Sequence, residues 1–198
     1  MFDYGGVLSQ QPADEDVALL ATVAGAPVQE LMDRYWESRH AYDVADLDVA
    51  AYWQQVGRGL GRSYTDAEIA ELSRADCSMW LRLQSGTVAL VRDLAAAGVP
   101  LALLSNAPED VAAAVSQLPE LASFEHLIFS CELKTGKPDP ACYQAALATL
   151  GASAGDVIFI DDRAENVAGA AALGMRSVQF TTSAAAREAL TRQLGGPR

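Results

Sequence analysis

The residues able to do chemistry are few and far apart in the chain: Asp3, Ser105-Asn106, Lys137 and Asp161-Asp162. Asp3 lies almost at the terminus, in Met1-Phe2-Asp3-Tyr4-Gly5-Gly6-Val7-Leu8. Ser105-Asn106 closes the apolar run Leu101-Ala102-Leu103-Leu104, and Asp161-Asp162 closes Val157-Ile158-Phe159-Ile160. Lys137 stands in Gly136-Lys137-Pro138. Carboxylates brought together repel unless protons or a cation compensate. Hard oxygen ligands suit Mg²⁺. Mg²⁺ with a lysine, a hydroxyl and the backbone amides of small residues suits a phosphate. Taken alone, Asp3 with its glycines is no more than a turn. The chemistry requires a fold that gathers the other residues around it.

Such a fold is written into the second half of the chain. "TVALVRDLAAAG" is a helix closed by Gly98, "PEDVAAAVSQL" a helix with Pro108 in its first turn, and "KPDPACYQAALATLG" a helix ending at Gly151. "AENVAGAAALG" is a helix stopped by Gly174, and "SAAAREALTRQLGG" a terminal one. Between them lie the short apolar runs "VPLALLSN", "EHLIFS", "DVIFIDD" and "MRSVQF". Apolar strands alternating with helices indicate a parallel sheet covered on both faces, a three-layer, Rossmann-like α/β core. Ligands of such sheets bind beyond the carboxyl ends of the strands, where all the residues above fall. Residues 13–85 differ: several amphipathic helical patterns, no convincing strand and all three Trp. They read as a helical cap inserted after the first strand, leaving 1–12 and 86–198 as the core.

The order Asp-x-x-Gly-Val, Leu-Ser-Asn, Gly-Lys-Pro, Asp-Asp-x-x-x-Asn resembles the four motifs of the haloacid dehalogenase-like hydrolase superfamily. Within it, "FDYGGVL" and "GKPDP" are similar to sugar-phosphate phosphatases and epoxide-hydrolase N-domain phosphatases. The resemblance implies that Asp3 is a nucleophile forming an aspartyl-phosphate. It implies that Ser105 donates to the phosphate, that Asn106 and Gly6 shape the phosphate site, and that Lys137 pairs with phosphate and Asp3. Asp3, the Gly5 carbonyl, Asp161 and Asp162 would hold Mg²⁺, with Asn166 orienting the acidic pair. The expected substrate is a small phosphorylated metabolite.

One departure bears on rate. Phosphatases of this superfamily carry a second Asp two residues after the nucleophile, a general acid/base contributing roughly 10²–10⁴-fold. Here that position is Gly5. Glu37, His40, Tyr42 and Asp43 in the helical insert are the replacements to consider, and Arg39, His40 and Tyr42 the residues to contact substrate. Arg39→Ala is expected to raise KM. Two alternatives stay open: a metal-independent 2-haloacid dehalogenase, and a phosphate-ligand-binding protein without turnover. A second departure is that only Met1 and Phe2 precede Asp3, whereas strands ordinarily run about five or six residues. The chain is therefore expected to begin inside its natural first strand.

Composition narrows the field. Over 198 residues, 51% are hydrophobic and 20% charged, enough to bury a sizeable core. A formal charge of −12 disfavours nucleic acid. No apolar run reaches the roughly 18 residues of a membrane span. Cys77, Cys131 and Cys142 show no CxxC spacing and no activating neighbour, and read as reduced structural thiols of a cytoplasmic protein. The oligomeric state is left open.

Overall fold

The computed structural model describes residues 1–195. Its sheet comprises β1 (Ala102–Ser105), β2 (His126–Phe129), β3 (Ile158–Asp161) and β4 (Arg176–Gln179), with β1–β2 and β3–β4 paired in parallel. Residues 1–3 join the two pairs. Phe2 N donates to Ala102 O (2.8 Å) and Leu104 N to Phe2 O (2.9 Å) on one side. Asp3 N donates to Ile160 O (2.8 Å) and Ile160 N to Met1 O (3.0 Å) on the other. The spatial order is thus β2–β1–(1–3)–β3–β4, and Asp3 leaves the sheet at its centre.

Side-chain alternation sorts the strand residues onto two faces. Phe2, Leu103 and Ile160 share one core with Leu90, Val111 and Leu190. Met1, Leu104 and Phe159 share the other with Tyr143, Ala146 and Ala170. The first face is covered by α6 (Ser85–Ala96), α7 (Glu109–Val115) and α11 (Ser183–Gly195). The second is covered by α9 (Pro140–Leu150) and α10 (Ala164–Ala172). This is the three-layer α/β arrangement expected from the alternation of elements. A short helix, α8 (Ser130–Leu133), follows β2 directly, where the sequence pattern showed only a loop.

Helices α1 (Asp14–Ala24), α2 (Val28–Glu37), α3 (Arg39–Asp43), α4 (Val49–Gly59) and α5 (Asp66–Trp80) surround a core of their own. Leu20, Leu31, Tyr35, Tyr52, Trp53 and Leu72 are its fully buried members. Helix α5 begins in a reciprocal capping box: Glu68 N donates to Thr65 Oγ1 (3.3 Å) and Thr65 N to Glu68 Oε2 (2.7 Å). The two chain crossings between this helical unit and the sheet are tied together. Gln10 N donates to Arg82 O (2.7 Å) and Gln84 N to Leu8 O (2.8 Å), an antiparallel pairing where the chain leaves and returns.

Candidate active site

Asp3, Ser105 and Asp161 stand at the carboxyl ends of three neighbouring sheet segments, and Lys137 reaches them from the loop between α8 and α9. Lys137 is 4% exposed; its Nζ donates to Asp3 Oδ1 (2.5 Å) and Asp161 Oδ2 (2.7 Å). Burial works against the lysine's charge, yet the two carboxylates raise its pKa above the ordinary value. Burial pushes the Asp3 carboxyl up to about 7, opposed by Lys137 and reinforced by Asp161.

Both oxygens of Asp161 are engaged. Its Oδ1 accepts from Arg163 N (2.9 Å) and Asn166 Nδ2 (3.0 Å), and its Oδ2 from Lys137 and the same Asn166 amide (3.0 Å). Asp162 is half-buried and its carboxylate accepts from the Gln11 amide at 3.4 Å. Burial, then the charge of Asp161, raises its pKa. One oxygen from each of Asp3, Asp161 and Asp162 lies within 4.8 Å of the others.

Several side chains have different partners from those the sequence suggested. Asn106 is one: its Nδ2 donates to Lys137 O and its Oδ1 accepts from Lys137 N, both at 2.8 Å. Its carboxamide is engaged with the lysine's backbone, not free for a phosphate. Ser105 is buried on the cavity wall and does not cap α7, whose N-cap is Pro108. The two glycines separate clearly. Gly6 has φ +75°, and a Cβ there would fall 2.4 Å from Asp162 Oδ2, so only glycine fits. Gly5 has an ordinary backbone, and a Cβ would meet Trp80 at a comfortable 3.6 Å. A β-carbon at position 5 therefore meets no steric bar.

Above these residues lies a cavity of about 190 Å³, lined from the sheet by Asp3, Gly5, Ser105, Lys137 and Asp162. From the helical unit come Trp36, Arg39, Asp43 and Trp80. His40 is exposed and not among the lining residues. Tyr42 is buried and stacked on Tyr52 (4.2 Å), also away from the cavity wall. Glu37 is exposed and paired with Arg34 (2.9 Å). Arg39 does reach the wall, but its guanidinium is engaged: Nε donates to Asp43 Oδ1 (2.7 Å) and Nη1 to Asp76 Oδ2 (2.9 Å) and the Tyr35 hydroxyl.

Ser130 escaped the sequence reading. Its fully buried hydroxyl accepts from Ala107 N (3.0 Å) and donates to the backbone carbonyl of Asp43 (2.5 Å), fastening α3 to the end of β2. A buried serine directly after a strand carries no signal that sets it apart from an ordinary turn. The cysteines stay outside the chemistry: burial pushes the thiols of Cys77 to about 12 and of Cys131 and Cys142 to about 11.

A family profile for haloacid dehalogenase-like hydrolases matches residues 2–174. The chain belongs to this family. It is 30% identical over 193 residues to a sesquiterpene phosphatase of Aspergillus oryzae, covering 93% of this chain and 90% of that protein. It is 27% identical over 187 residues to phosphoglycolate phosphatase 1 of Pseudomonas aeruginosa, covering 91% and 68% respectively. In fold, it matches a HAD family enzyme of Bacteroides thetaiotaomicron solved with magnesium and inorganic phosphate. That match has a TM-score of 0.74 at 19% identity, over 91% of this chain and 92% of that one. As a haloacid dehalogenase-like hydrolase it places Asp3 at the centre of its sheet, with Lys137 reaching it from the loop between α8 and α9. Among the described residues no helix is long and apolar enough to cross a membrane.

Proposed function

We propose that this hydrolase is an Mg²⁺-dependent phosphomonoesterase acting on a small phosphorylated metabolite, with Asp3 as nucleophile. The observation that carries this reading is the buried Lys137 bridging Asp3 and Asp161 beside Asp162, which forms no ion pair among the described residues. The relatives' names, phosphatases of a terpenoid and of phosphoglycolate, support a phosphate ester as substrate. A cavity of about 190 Å³ suits a small one.

The donors fit Mg²⁺, being hard oxygens held close together with too much negative charge for one lysine. Asp3, Asp162 and the Gly5 carbonyl would hold it, while Asp161 holds the lysine. When bound, Mg²⁺ would neutralise phosphate oxygens and leave the phosphorus open to attack. Lys137 favours the ionised form of Asp3 and offers its remaining proton to a phosphate oxygen. Ser105 donates to another, and Asn106 fixes the lysine's backbone. In this reading residues 13–85 form a cap that closes over the core of 1–12 and 86–198, and Trp36 and Trp80 face the alcohol of the ester. Arg39 holds the cap together and does not read the substrate.

Gly5 sustains two further readings: metal-independent dehalogenation of a 2-haloacid, and phosphate binding without turnover. One screen separates them. Phosphate release from a panel of phosphomonoesters with Mg²⁺, lost with chelator, is the expected result. Halide release from 2-haloacids without metal, or phosphate binding with no turnover of any ester, would replace it.

A further inference from the structure

A phosphatase that lacks an acid at position 5 still has to protonate the departing alcohol and take a proton from water. We propose that Asp43, on α3 of the helical unit, is the catalytic residue that supplies this proton donor and acceptor. The proposal rests on the phosphomonoesterase reading above.

The inventory of the cavity wall leads to it. Of the lining groups able to exchange a proton, Asp3 and Asp162 are committed to nucleophile and metal, and Lys137 to the carboxylates. The Tyr4 hydroxyl donates to Trp80 O (2.7 Å), and burial drives its pKa up, away from neutrality. Arg39 is held charged by Asp76 and Asp43 despite its burial, and Arg163 is paired with Glu165. Asp43 is the carboxyl left over.

Its side chain is held as such a group should be. Oδ1 accepts from Arg39 Nε at 2.7 Å, while Oδ2 has no hydrogen-bond partner among the described residues. Arg39 is itself gripped from behind by Asp76 and Tyr35, so the carboxyl plane is braced through buried contacts. Ser130 ties the Asp43 backbone to the end of β2, so the residue keeps register with the core and not only with its own helical unit. Burial raises the Asp43 carboxyl above the usual range, with Arg39 opposing. That combination lets it carry a proton before the reaction and part with it during the reaction.

The steps balance. An Asp3 carboxylate oxygen bonds to phosphorus, the ester P–O bond breaks, and the alkoxide takes the Asp43 proton and leaves as the alcohol. Water then gives a proton to the Asp43 carboxylate while its oxygen bonds to phosphorus. The bond from phosphorus to Asp3 breaks, releasing inorganic phosphate and restoring both carboxyl groups.

The test compares two esters, butyl phosphate, whose alcohol needs the proton, and p-nitrophenyl phosphate, whose phenolate leaves without it. In Asp43→Asn, kcat/KM for butyl phosphate is expected to fall about 10²–10⁴-fold, and for p-nitrophenyl phosphate less than about tenfold. Nitrophenol should then appear as a burst followed by slow turnover, because the aspartyl-phosphate waits for an unactivated water. Adding Gly5→Asp to that variant should restore butyl phosphate hydrolysis. A folded Asp43→Asn protein with an unchanged butyl phosphate rate overturns the proposal, as does an equal loss on both esters that Gly5→Asp does not rescue. Should Asp43→Asn not fold, Gly5→Asp alone decides. A change within about threefold on butyl phosphate supports an acid already present, and a gain near 10²-fold shows that none was there. Failure of the phosphomonoesterase reading looks different: the unmodified protein would release phosphate from neither ester.

Discussion

Two buried ion clusters, each one cation and two carboxylates, lie about one cavity and differ in how fully each carboxylate is satisfied. In the sheet, Lys137 bridges Asp3 and Asp161; in the helical unit, Arg39 bridges Asp43 and Asp76. Asp76 is closed on all sides, accepting from Tyr35 (2.7 Å), Arg39 (2.9 Å) and Trp80 Nε1 (3.3 Å). Among the described residues Asp3 accepts one side-chain hydrogen bond, from Lys137, and burial raises its pKa. The arginine's planar fork satisfies several acceptors at once and locks them, whereas the lysine is a compact point charge that leaves coordination to spare. Saturation makes Asp76 a brace; Asp3 and Asp43, each held by a single cation, keep carboxylate capacity at the cavity.

The largest effect that would sharpen this contrast is expected at Asp3. Asp3→Asn should lower phosphate release by roughly 10⁴-fold or more, as deletion of a nucleophile does. The urea midpoint should barely move, because a neutral amide relieves the burial that already pushes this carboxyl up to about 7. Equal losses of activity and stability would erase the distinction between the clusters. Asp76→Ala should do the reverse. It strips a fully buried acceptor from Arg39 and Tyr35 and should lower unfolding free energy by about 3–5 kcal/mol, measured by urea titration. The protein that remains folded should keep kcat within about tenfold.

A smaller effect separates the glycines. Gly6→Ala, at φ +75° and against Asp162, should destabilise by more than about 1 kcal/mol and weaken Mg²⁺ binding in calorimetry. Gly5→Ala should do neither. The smallest effect belongs to the exposed Arg34–Glu37 pair, whose side chains are 45% and 60% exposed. Arg34→Ala should change stability by no more than about 0.5 kcal/mol, since depth and not pairing gives the other clusters their weight.

Legibility followed the range of the contacts. Asp3, Ser105 and Asp161-Asp162 could be named because strand ends are visible in short apolar runs, and Lys137 because Gly136-Lys137-Pro138 completes the motif order. Arg39 looked like a substrate contact because its partner Asp76 lies 37 residues away, and no local pattern reveals that pairing. Asn106 resembled a phosphate ligand because its partner, the backbone of Lys137, has no side-chain signature. Trp36 could not be told from Tyr35 beside it: one is 53% exposed over the cavity, the other wholly buried.

Alternation of apolar runs with helices dictates the layered sheet and puts an acid, a hydroxyl and an acidic pair at its edge. Those are consequences of periodicity and chain direction, properties that a linear string carries. Which cation is free to act, which glycine must be a glycine and which carboxyl of the helical unit meets the cavity are settled only in three dimensions. Each depends on atoms from distant parts of the chain competing for the same few ångströms, and the winner is set by packing that no single segment contains.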